Sequence, residues 1–411
     1  MNDNKISKNS IVAKFAVPIS FLILFFLAAN FTDCDLVTFW KRRNHLTDLV
    51  VDMIPPDFSY IQKILLPLFY TIQMSVTGTV LGIFFALVLS PFGAANLGFP
   101  AVIRRILRIV IQILRSFPAL ILALTATFLF GLGTFAGTFA ITLYTFAIMA
   151  KLTYEDASAA DVKAYQALRA MGVSKYVAYI HGILPEIIPG FLTNALYLLE
   201  TNVRHSSILG YVGAGGIGLL LNEKISWLEY DKVGTILLML FLTVCVIEYF
   251  SRYLAALIRK ERTIKKEQAR LLLLFLAALF LICTFTLSLP DFSRTSPQTL
   301  RNMFAGFLQP DWSFFFSAEK DGLGYLLLET VCIAFIGTVI GAIVSAPLAF
   351  LNTKRFVPAP VSFLFNLVIM VIRSVPFLVY GLIFIRVSGP GAFTGVLTLA
   401  VCSIGLLTKR F

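Results

Sequence analysis

Thr71–Ser90 reads TIQMSVTGTVLGIFFALVLS, a stretch without a single charge, and Thr330–Ala349 reads TVCIAFIGTVIGAIVSAPLA, with threonine and glycine at matching places. A hydrocarbon core about 30 Å thick calls for about 20 apolar residues per helix. Each stretch is long enough to cross a bilayer, and the recurrence says that one plan is used twice. The whole chain agrees. Of 411 residues, 58% are hydrophobic and 14% charged, and the mean hydropathy is +0.86. A soluble domain carries about 45–50% apolar and about 25% charged residues, so this chain needs lipid as its solvent.

Working outward, apolar runs of bilayer length lie near 12–31, 64–90, 107–131, 134–150, 187–203, 232–256, 271–289, 325–351, 361–384 and 392–408. Barrel-type alternation is absent, which leaves helices to satisfy the backbone in lipid. The expected fold class is an all-α polytopic membrane protein with about ten transmembrane helices. The run at 187–203 is the least apolar, since it holds Asn194, Glu200 and Asn202. Lys5, Lys8 and Lys14 precede a long first run with no small-residue cleavage site, so an uncleaved anchor is expected.

A net charge of +12 raises the question of nucleic acid. The distribution answers it, because the basic residues sit in loops. Arg104, Arg105 and Arg108 form one cluster, and Lys163, Arg169 and Lys175 a second. Arg259 to Arg270, Lys354 with Arg355, and Lys409 with Arg410 complete the series. With ten spans all of these share one side with the N-terminus, which the positive-inside rule makes cytoplasmic. Lys41, Arg42 and Arg43, in the first outer loop, run against the bias. No nucleic-acid partner is expected; the bilayer is. Cys245, Cys283, Cys332 and Cys402 lie within spans, Cys34 stands alone, and His45, His181 and His205 do not cluster. No disulfide framework, metal site or cofactor is implied, and no catalytic constellation is visible.

The repeat extends beyond the opening stretch. Pro56-Asp57-Phe58-Ser59 returns as Pro310-Asp311-Trp312-Ser313, and Arg115-Ser116-Phe117-Pro118 as Arg373-Ser374-Val375-Pro376. Gly131, Gly133, Phe135 and Gly137 return as Gly389, Gly391, Phe393 and Gly395, with every offset between 254 and 259. Four collinear matches mean duplication. Six spans per full unit is an even number, so both copies enter the membrane in the same sense, as parallel repeats about the membrane normal. The expected domains are a first unit, 1–256, a basic cytoplasmic linker, 257–270, and a second unit, 271–411. Lys409 aligns with Lys151, and the segment from Leu152 onward has no counterpart in the second copy. That copy is therefore expected to need a further segment or another subunit.

Between the fourth and fifth spans, Tyr154–Pro189 is too polar to cross the membrane. Ala164, Ala167, Leu168 and Met171 recur at helical spacing. Gly172 is placed to end that helix, Ser174 to cap the next, and Pro185 to end or bend it. A helix–Gly–helix hairpin projecting into the cytoplasm is expected, with an apolar face suited to a groove on a partner.

Gln166-Ala167-Leu168, then Gly172, then Ile183-Leu184-Pro185 resembles the coupling loop of ABC importer permeases. It departs from the family pattern in Gln166, Leu168 and the spacing of the isoleucine. Glu200-Thr201-Asn202-Val203-Arg204, Ser207–Gly210 and Val212–Gly218, together with the Arg-Ser-x-Pro element, are similar to phosphonate-type permeases. The resemblance covers about 50–256 and, as a shortened copy, about 300–411. It implies a type I ABC importer permease-like helical bundle. It also implies an ABC ATPase dimer docked on Gln166, Ala167, Leu168, Gly172, Leu184 and Pro185. An extracellular or periplasmic binding protein would deliver a phosphonate-like anion. Gly213-Ala214-Gly215-Gly216-Ile217-Gly218 also matches the dinucleotide fingerprint, but it lies between spans and not in a βαβ unit. Close helix approach or a mobile re-entrant turn explains these glycines, so Gly213, Gly215, Gly216 and Gly218 are candidate gating residues.

Charges inside a membrane cost about 2.5–3.5 kcal/mol on insertion scales and usually mark function. Arg115 and Arg373 hold equivalent places, and Arg204 lies near Glu200. An arginine fork matches phosphonate oxygens, so these four residues are candidates for an anion path. For Arg115 and Arg373 the alternative is pairing with carbonyls at a helix break; for Arg204 it is neutralising Glu200. Rival readings are an importer of another small solute, such as methionine or phosphite, and, more remotely, an ion channel.

Overall fold

A computed structural model describes residues 18–34, 36–261, 265–290, 297–309, 311–317, 319–320, 322–353 and 355–409. Residues 12–17 of the first expected span, Lys5, Lys8 and Lys14, residues 262–264 of the basic linker, Pro310, Lys354 and Arg410 lie outside these. Among the described residues there are helices and no strands. The chain opens with α1 (Pro18–Phe31) and α2 (Leu36–Asp52), then the long α3 (Ile61–Gly93). Next come α4 (Ala101–Ser116), α5 (Ala119–Phe130), α6 (Thr134–Ala159), α7 (Lys163–Ala170) and α8 (Lys175–Gly182). The middle of the chain holds α9 (Leu184–Leu209), α10 (Ile217–Ser226), α11 (Tyr230–Ile258) and α12 (Lys266–Phe285). The rest is α13 (Pro297–Leu308), α14 (Trp312–Phe316), α15 (Leu323–Asn352), α16 (Ala359–Ser374), α17 (Phe377–Ser388) and α18 (Ala392–Leu407).

Among the described residues, five helices are long and apolar enough to cross a membrane: α3 with its preceding turn, α6, α11, α12 and α15. Three bent pairs, α4–α5, α8–α9 and α16–α17, raise the number to eight, and α1 and α18 are shorter apolar helices. The runs at 107–131 and 361–384, expected as single spans, are broken: α4 meets α5 at 95° and α16 meets α17 at 88°. Proline is the cause. Phe117 and Val375, each followed by proline, are held extended (ψ 124° and 126°), and the next helix starts afresh after Pro118 and Pro376.

Helix contacts divide the chain into two packing units, residues 56–303 and residues 1–55 with 304–411. The sequence boundaries at 256 and 270 follow chain order, and the packing does not. In the unit 56–303, α12 lies against α3, where Gln73 donates to the Cys283 carbonyl (3.1 Å) and to Thr286 Oγ1 (2.8 Å). In the other unit the helix beside α15 is α1, through Ala28, Ile336, Phe393 and Val396, with Phe21 edge-on to Phe335. The position equivalent to Gln73 is Cys332, which joins that apolar cluster.

Each unit is organised by one close helix crossing, α3 on α6 and α15 on α18. A Cβ on Gly78 would stand 2.8 Å from Ile141, and one on Gly82 2.7 Å from Thr145. The second unit repeats this: a Cβ on Gly337 would stand 2.8 Å from Leu399, and Gly341 faces Ser403. Lipid tails are as apolar as leucine, so helices associate by backbone approach at small residues. The repeat also appears in backbone geometry. α16 and α17 begin and end 258 residues after α4 and α5. Gly131 and Gly389 share φ of 83° and 82°, and Gly133 and Gly391 share 141° and 150°, conformations that favour glycine. The recurring Pro-Asp-x-Ser is a helix cap, with Asp57 accepting from Ser59 N and Asp311 from Ser313 N, both at 2.9 Å.

Gly82→Leu is expected to overpack the α3–α6 crossing and destabilise the protein by about 1–3 kcal/mol. Thermal unfolding in detergent should show a lowered midpoint, and a neighbouring lipid-facing change such as Phe84→Leu should not.

Candidate functional site

The hairpin expected between the fourth and fifth spans forms, with two differences. Tyr154–Ala159 continue α6, so the turn begins only at Ala160. The hairpin also does not stand free. Ala178, Tyr179 and Ile183 pack with Ala94, Leu97 and Ala157, and Tyr165 donates its hydroxyl to the Leu97 carbonyl at 2.6 Å. Gly172 ends α7 at φ 86°, with Val173 N donating to Leu168 O (3.2 Å) and Gly172 N to Arg169 O (3.0 Å). That is the two-bond C-terminal turn in which glycine is favoured. Ser174 caps α8 by accepting from Val177 N, and α8 meets α9 at 69° around Ile183, just before Pro185. Gln166, Ala167 and Met171 are exposed, Met171 at 70%, and Leu168 is half-buried. The hairpin thus has one face fixed to the bundle and one apolar face free.

At the other end of α9 is a buried polar ladder. Asn202 donates to Thr79 Oγ1 and Thr145 Oγ1, both at 2.8 Å, and so ties α9 to α3 and α6. Ser206 meets Ser75 at 2.8 Å, and Thr71 Oγ1 accepts from Ile217 N at 2.8 Å while donating to the Pro67 carbonyl. Of the polar residues that made 187–203 the least apolar run, Glu200 and Asn202 are buried and Asn194 is half-buried. Thr71, Ser75 and Thr79 are spaced by four along α3, one helical face. That four-residue spacing of hydroxyls is visible in the sequence.

The glycine string makes a tight turn over this ladder. Gly213, Gly215 and Gly216 all have φ between 75° and 82°. Gly133 N donates to the Gly213 carbonyl at 3.0 Å, Ala214 is fully buried, and a Cβ on Gly216 would stand 2.7 Å from Thr71 Oγ1. Gly218 lies against the Ser207 carbonyl so closely that no side chain fits. In this conformation the glycines permit close backbone approach.

The four residues proposed for an anion path fall in different places. Arg204 pairs with Glu200 one turn earlier on α9, with side chains only 14% and 6% exposed. Arg115 is exposed at the last turn of α4. Arg373 is half-buried at the equivalent turn of α16, its stem 2.8 Å from where a Gly405 Cβ would be. His205 sits edge-on to Tyr144 at 5.3 Å, beside the Arg204–Glu200 pair.

Sequence reasoning passed over a fifth feature. Lys224, nearly buried on α10, pairs with Glu223 and Glu229, both at 2.9 Å, and lies 4.7 Å over the Trp227 ring. Lys232 reaches Glu229 at 2.7 Å. The Glu229 carboxyl is held below the usual carboxylate range, first by the hydrogen bond from Lys232 and then by that from Lys224. The Lys224 ammonium is pushed up, first by Glu229 and then by Glu223.

These features define a class: a multi-pass helical membrane protein with a buried interhelical polar core and a helical hairpin docked on its bundle. Residues 78–263 match the family described as the inner membrane component of binding-protein-dependent transport systems. The chain is 31% identical over 217 residues to the phosphite transport system permease protein PtxC of Stutzerimonas stutzeri, covering 53% of this chain and 79% of that one. It is 25% identical over 374 residues to the phosphate-import permease protein PhnE of Mycolicibacterium smegmatis, covering 89% and 69%. Among solved structures, an inward-facing MetNI methionine ABC transporter aligns at a TM-score of 0.44 and 21% identity, over 49% of this chain and 99% of that one. The chain belongs to the family of binding-protein-dependent transport system inner membrane components.

Two outcomes follow. Asn202→Ala strands two buried hydroxyls and is expected to cost about 1–3 kcal/mol, read as a lowered unfolding midpoint. For Glu229, a depressed pKa means stabilisation that is present above the ordinary carboxylate value and lost as pH falls below it. The midpoint should therefore decline below about pH 4, and Glu229→Gln should flatten that decline.

Proposed function

We propose that this chain is the permease of an ATP-driven importer for phosphonate or a related phosphorus oxyanion. The observation that carries the substrate class is the similarity to relatives named for phosphite and phosphate import, one of them spanning 89% of this chain. On this reading the N-terminus is cytoplasmic and two permease units, duplicated in parallel, share one chain. The separate ATPase dimer receives the exposed face of α7 and the Gly172 turn. Closure of that dimer presses on the hairpin. Because α8 is packed on residues 94–97 and joined to α9 through the bend at Ile183, the push reaches both α3 and α9. Such a lever would switch access between the two sides of the membrane. A binding protein on the outer face supplies the anion.

The proposed coupling residues are Gln166, Ala167, Leu168, Gly172, Leu184 and Pro185. Support for Ala167 and Gln166 is their exposure; Leu184 and Pro185 mark the bend. Introducing charge with Ala167→Asp and Met171→Asp should abolish copurification of the ATPase and substrate uptake while leaving the permease in the membrane. Retained copurification would place the docking elsewhere.

Arg204, Arg115, Arg373 and Glu200 are proposed to line the anion path. A paired Arg204 also has a simple structural explanation, and uptake separates the two. Arg204→Gln should abolish phosphite or phosphonate uptake in either case. If Arg204 holds the anion, the double change Glu200→Gln with Arg204→Gln stays inactive. Recovery in the double variant would reduce Arg204 to a counter-ion for Glu200. For the glycine turn, gating requires that Gly213 and Gly216 leave their present conformations during transport. Crosslinking the turn to Thr134 through a Gly215→Cys, Thr134→Cys pair should then stop uptake reversibly.

A further inference from the structure

The short connection 94–100 joins α3 to α4, and side chains from four helices meet at it. Tyr165, on α7, donates to the Leu97 carbonyl at 2.6 Å, and Lys175, on α8, donates Nζ to the Gly98 carbonyl. The same ammonium lies 5.9 Å from the Phe99 ring, and Phe99 packs on Phe92, which stacks with Tyr176 of α8. On α6, Ser158 Oγ accepts from Ala95 N at 3.1 Å, and the Ala157 carbonyl accepts from Asn96 Nδ2 at 2.9 Å. The fourth helix is α4 itself, through Arg108. Its Nε donates to the carbonyl of Gly93, the last residue of α3, at 2.9 Å. Its guanidinium lies 4.9 Å over the Tyr154 ring of α6.

The chemistry of that contact asks for arginine. The last carbonyls of a helix carry the negative end of its dipole and favour a cation. A guanidinium can donate in its plane while its flat face covers an aromatic ring, which an ammonium cannot do. The fit is tight: a Cβ on Gly93 would stand 2.9 Å from Tyr154 Cδ1, and Tyr154 is buried. Among the described residues, Arg108 is the one side chain of α4 that hydrogen-bonds outside its own helix. Ile111, fully buried, packs α4 on α3, α6 and α9 in a cluster that contains none of residues 94–100. In the unit of residues 1–55 with 304–411 the corresponding helices are also tied, by another group. Ser362 Oγ donates to the carbonyl of Asn352, the last residue of α15, at 2.6 Å, and Asn366 stands at the place of Arg108.

We propose that Arg108 is a positioning residue of transport, through which movement of the hairpin passes to α4 and, across the break at Phe117–Pro118, to α5. On the importer reading, which this extends, an ATPase presses on the hairpin. A shift of α7 and α8 carries the Leu97 and Gly98 carbonyls with Tyr165 and Lys175. The connection carries the Gly93 carbonyl in turn, and Arg108 obliges α4 to follow. Without the guanidinium the connection moves while α4 stays where Ile111 holds it.

Two experiments on the full chain test this. In the chain alone, hydrogen exchange reads the tie without any partner. Tyr165→Phe frees Leu97 from the hairpin and should raise exchange several-fold at the amides of 104–112. Arg108→Met should raise exchange at the same amides, and adding Tyr165→Phe to it should bring no further rise. Groups that act through one another depart from additivity in this way, and independent groups do not. Ile111→Ala, which loosens α4 through packing alone, should leave the response to Tyr165→Phe in place. Additive rises from Tyr165→Phe and Arg108→Met would overturn the tie, and so would an α4 that ignores Tyr165→Phe. Should Arg108→Met not fold, Arg108→Gln takes its place. The second experiment uses vesicles with the ATPase and the binding protein. Arg108→Met should lose ATP-dependent phosphite uptake while ATP hydrolysis continues, and Arg108→Lys, which keeps a donor and a cation, should recover part of the uptake. Uptake by Arg108→Met equal to that of the unsubstituted chain would overturn the positioning role. If the unsubstituted chain itself shows no ATP-dependent phosphite uptake, the importer reading fails, and the exchange result still decides the tie.

Discussion

The closeness of α3 to α6, repeated by α15 and α18, is the constraint on which the rest depends. Gly78 and Gly82 let backbones meet where a side chain would collide with Ile141 and Thr145. In lipid there is no hydrophobic force to draw apolar helices together, so dispersion at such crossings and interhelical hydrogen bonds carry the association. The buried hydroxyls of α3 can reach Asn202 and Ser206 on α9 only because the helices come this near. The ladder in turn fixes α9, and α9 carries the glycine turn at one end and the hairpin at the other.

That arrangement gives a mechanical reading of the unit. The hairpin is anchored by Tyr165 on residue 97 and by the cluster around Tyr179, so a force on its exposed face is delivered to helix ends instead of being absorbed by a slack loop. At the opposite end, the turn at Gly213–Gly216 is held by the hydrogen bond from Gly133 N, by Gly213 N to Gly210 O and Ala214 N to Leu209 O, and by the close packing of Gly216 and Gly218. The Arg204–Glu200 pair lies between the two ends, where a movement of α9 would alter its surroundings.

Much of this was legible in the sequence, and the reasons are specific. Length and hydropathy located ten apolar segments because a bilayer demands a fixed number of residues. The internal repeat was legible because a close crossing tolerates only glycine at two positions four residues apart, and Gly78/Gly82 and Gly337/Gly341 keep that spacing. The hairpin was legible from Gly172, Ser174 and Pro185, each of which has one local role. Other features depend on contacts remote in sequence. That Gln73 binds α12 while its counterpart Cys332 joins a cluster with α1 is a matter of which helix arrives, and no periodicity records it. The right-angle breaks after Ser116 and Ser374 were foreshadowed by proline, but the angle comes from packing. The pairing of Arg204 with Glu200 is set by side-chain placement on α9 that the sequence spacing permits but does not fix.

The most direct measurement of the central claim is ATP-dependent uptake into vesicles containing this chain, its ATPase and its binding protein. Labelled phosphite or methylphosphonate would be competed against methionine. Accumulation is expected to require ATP and the binding protein, to be blocked by excess unlabelled phosphorus oxyanion, and to be indifferent to methionine. Accumulation of methionine unaffected by phosphorus oxyanions would contradict it.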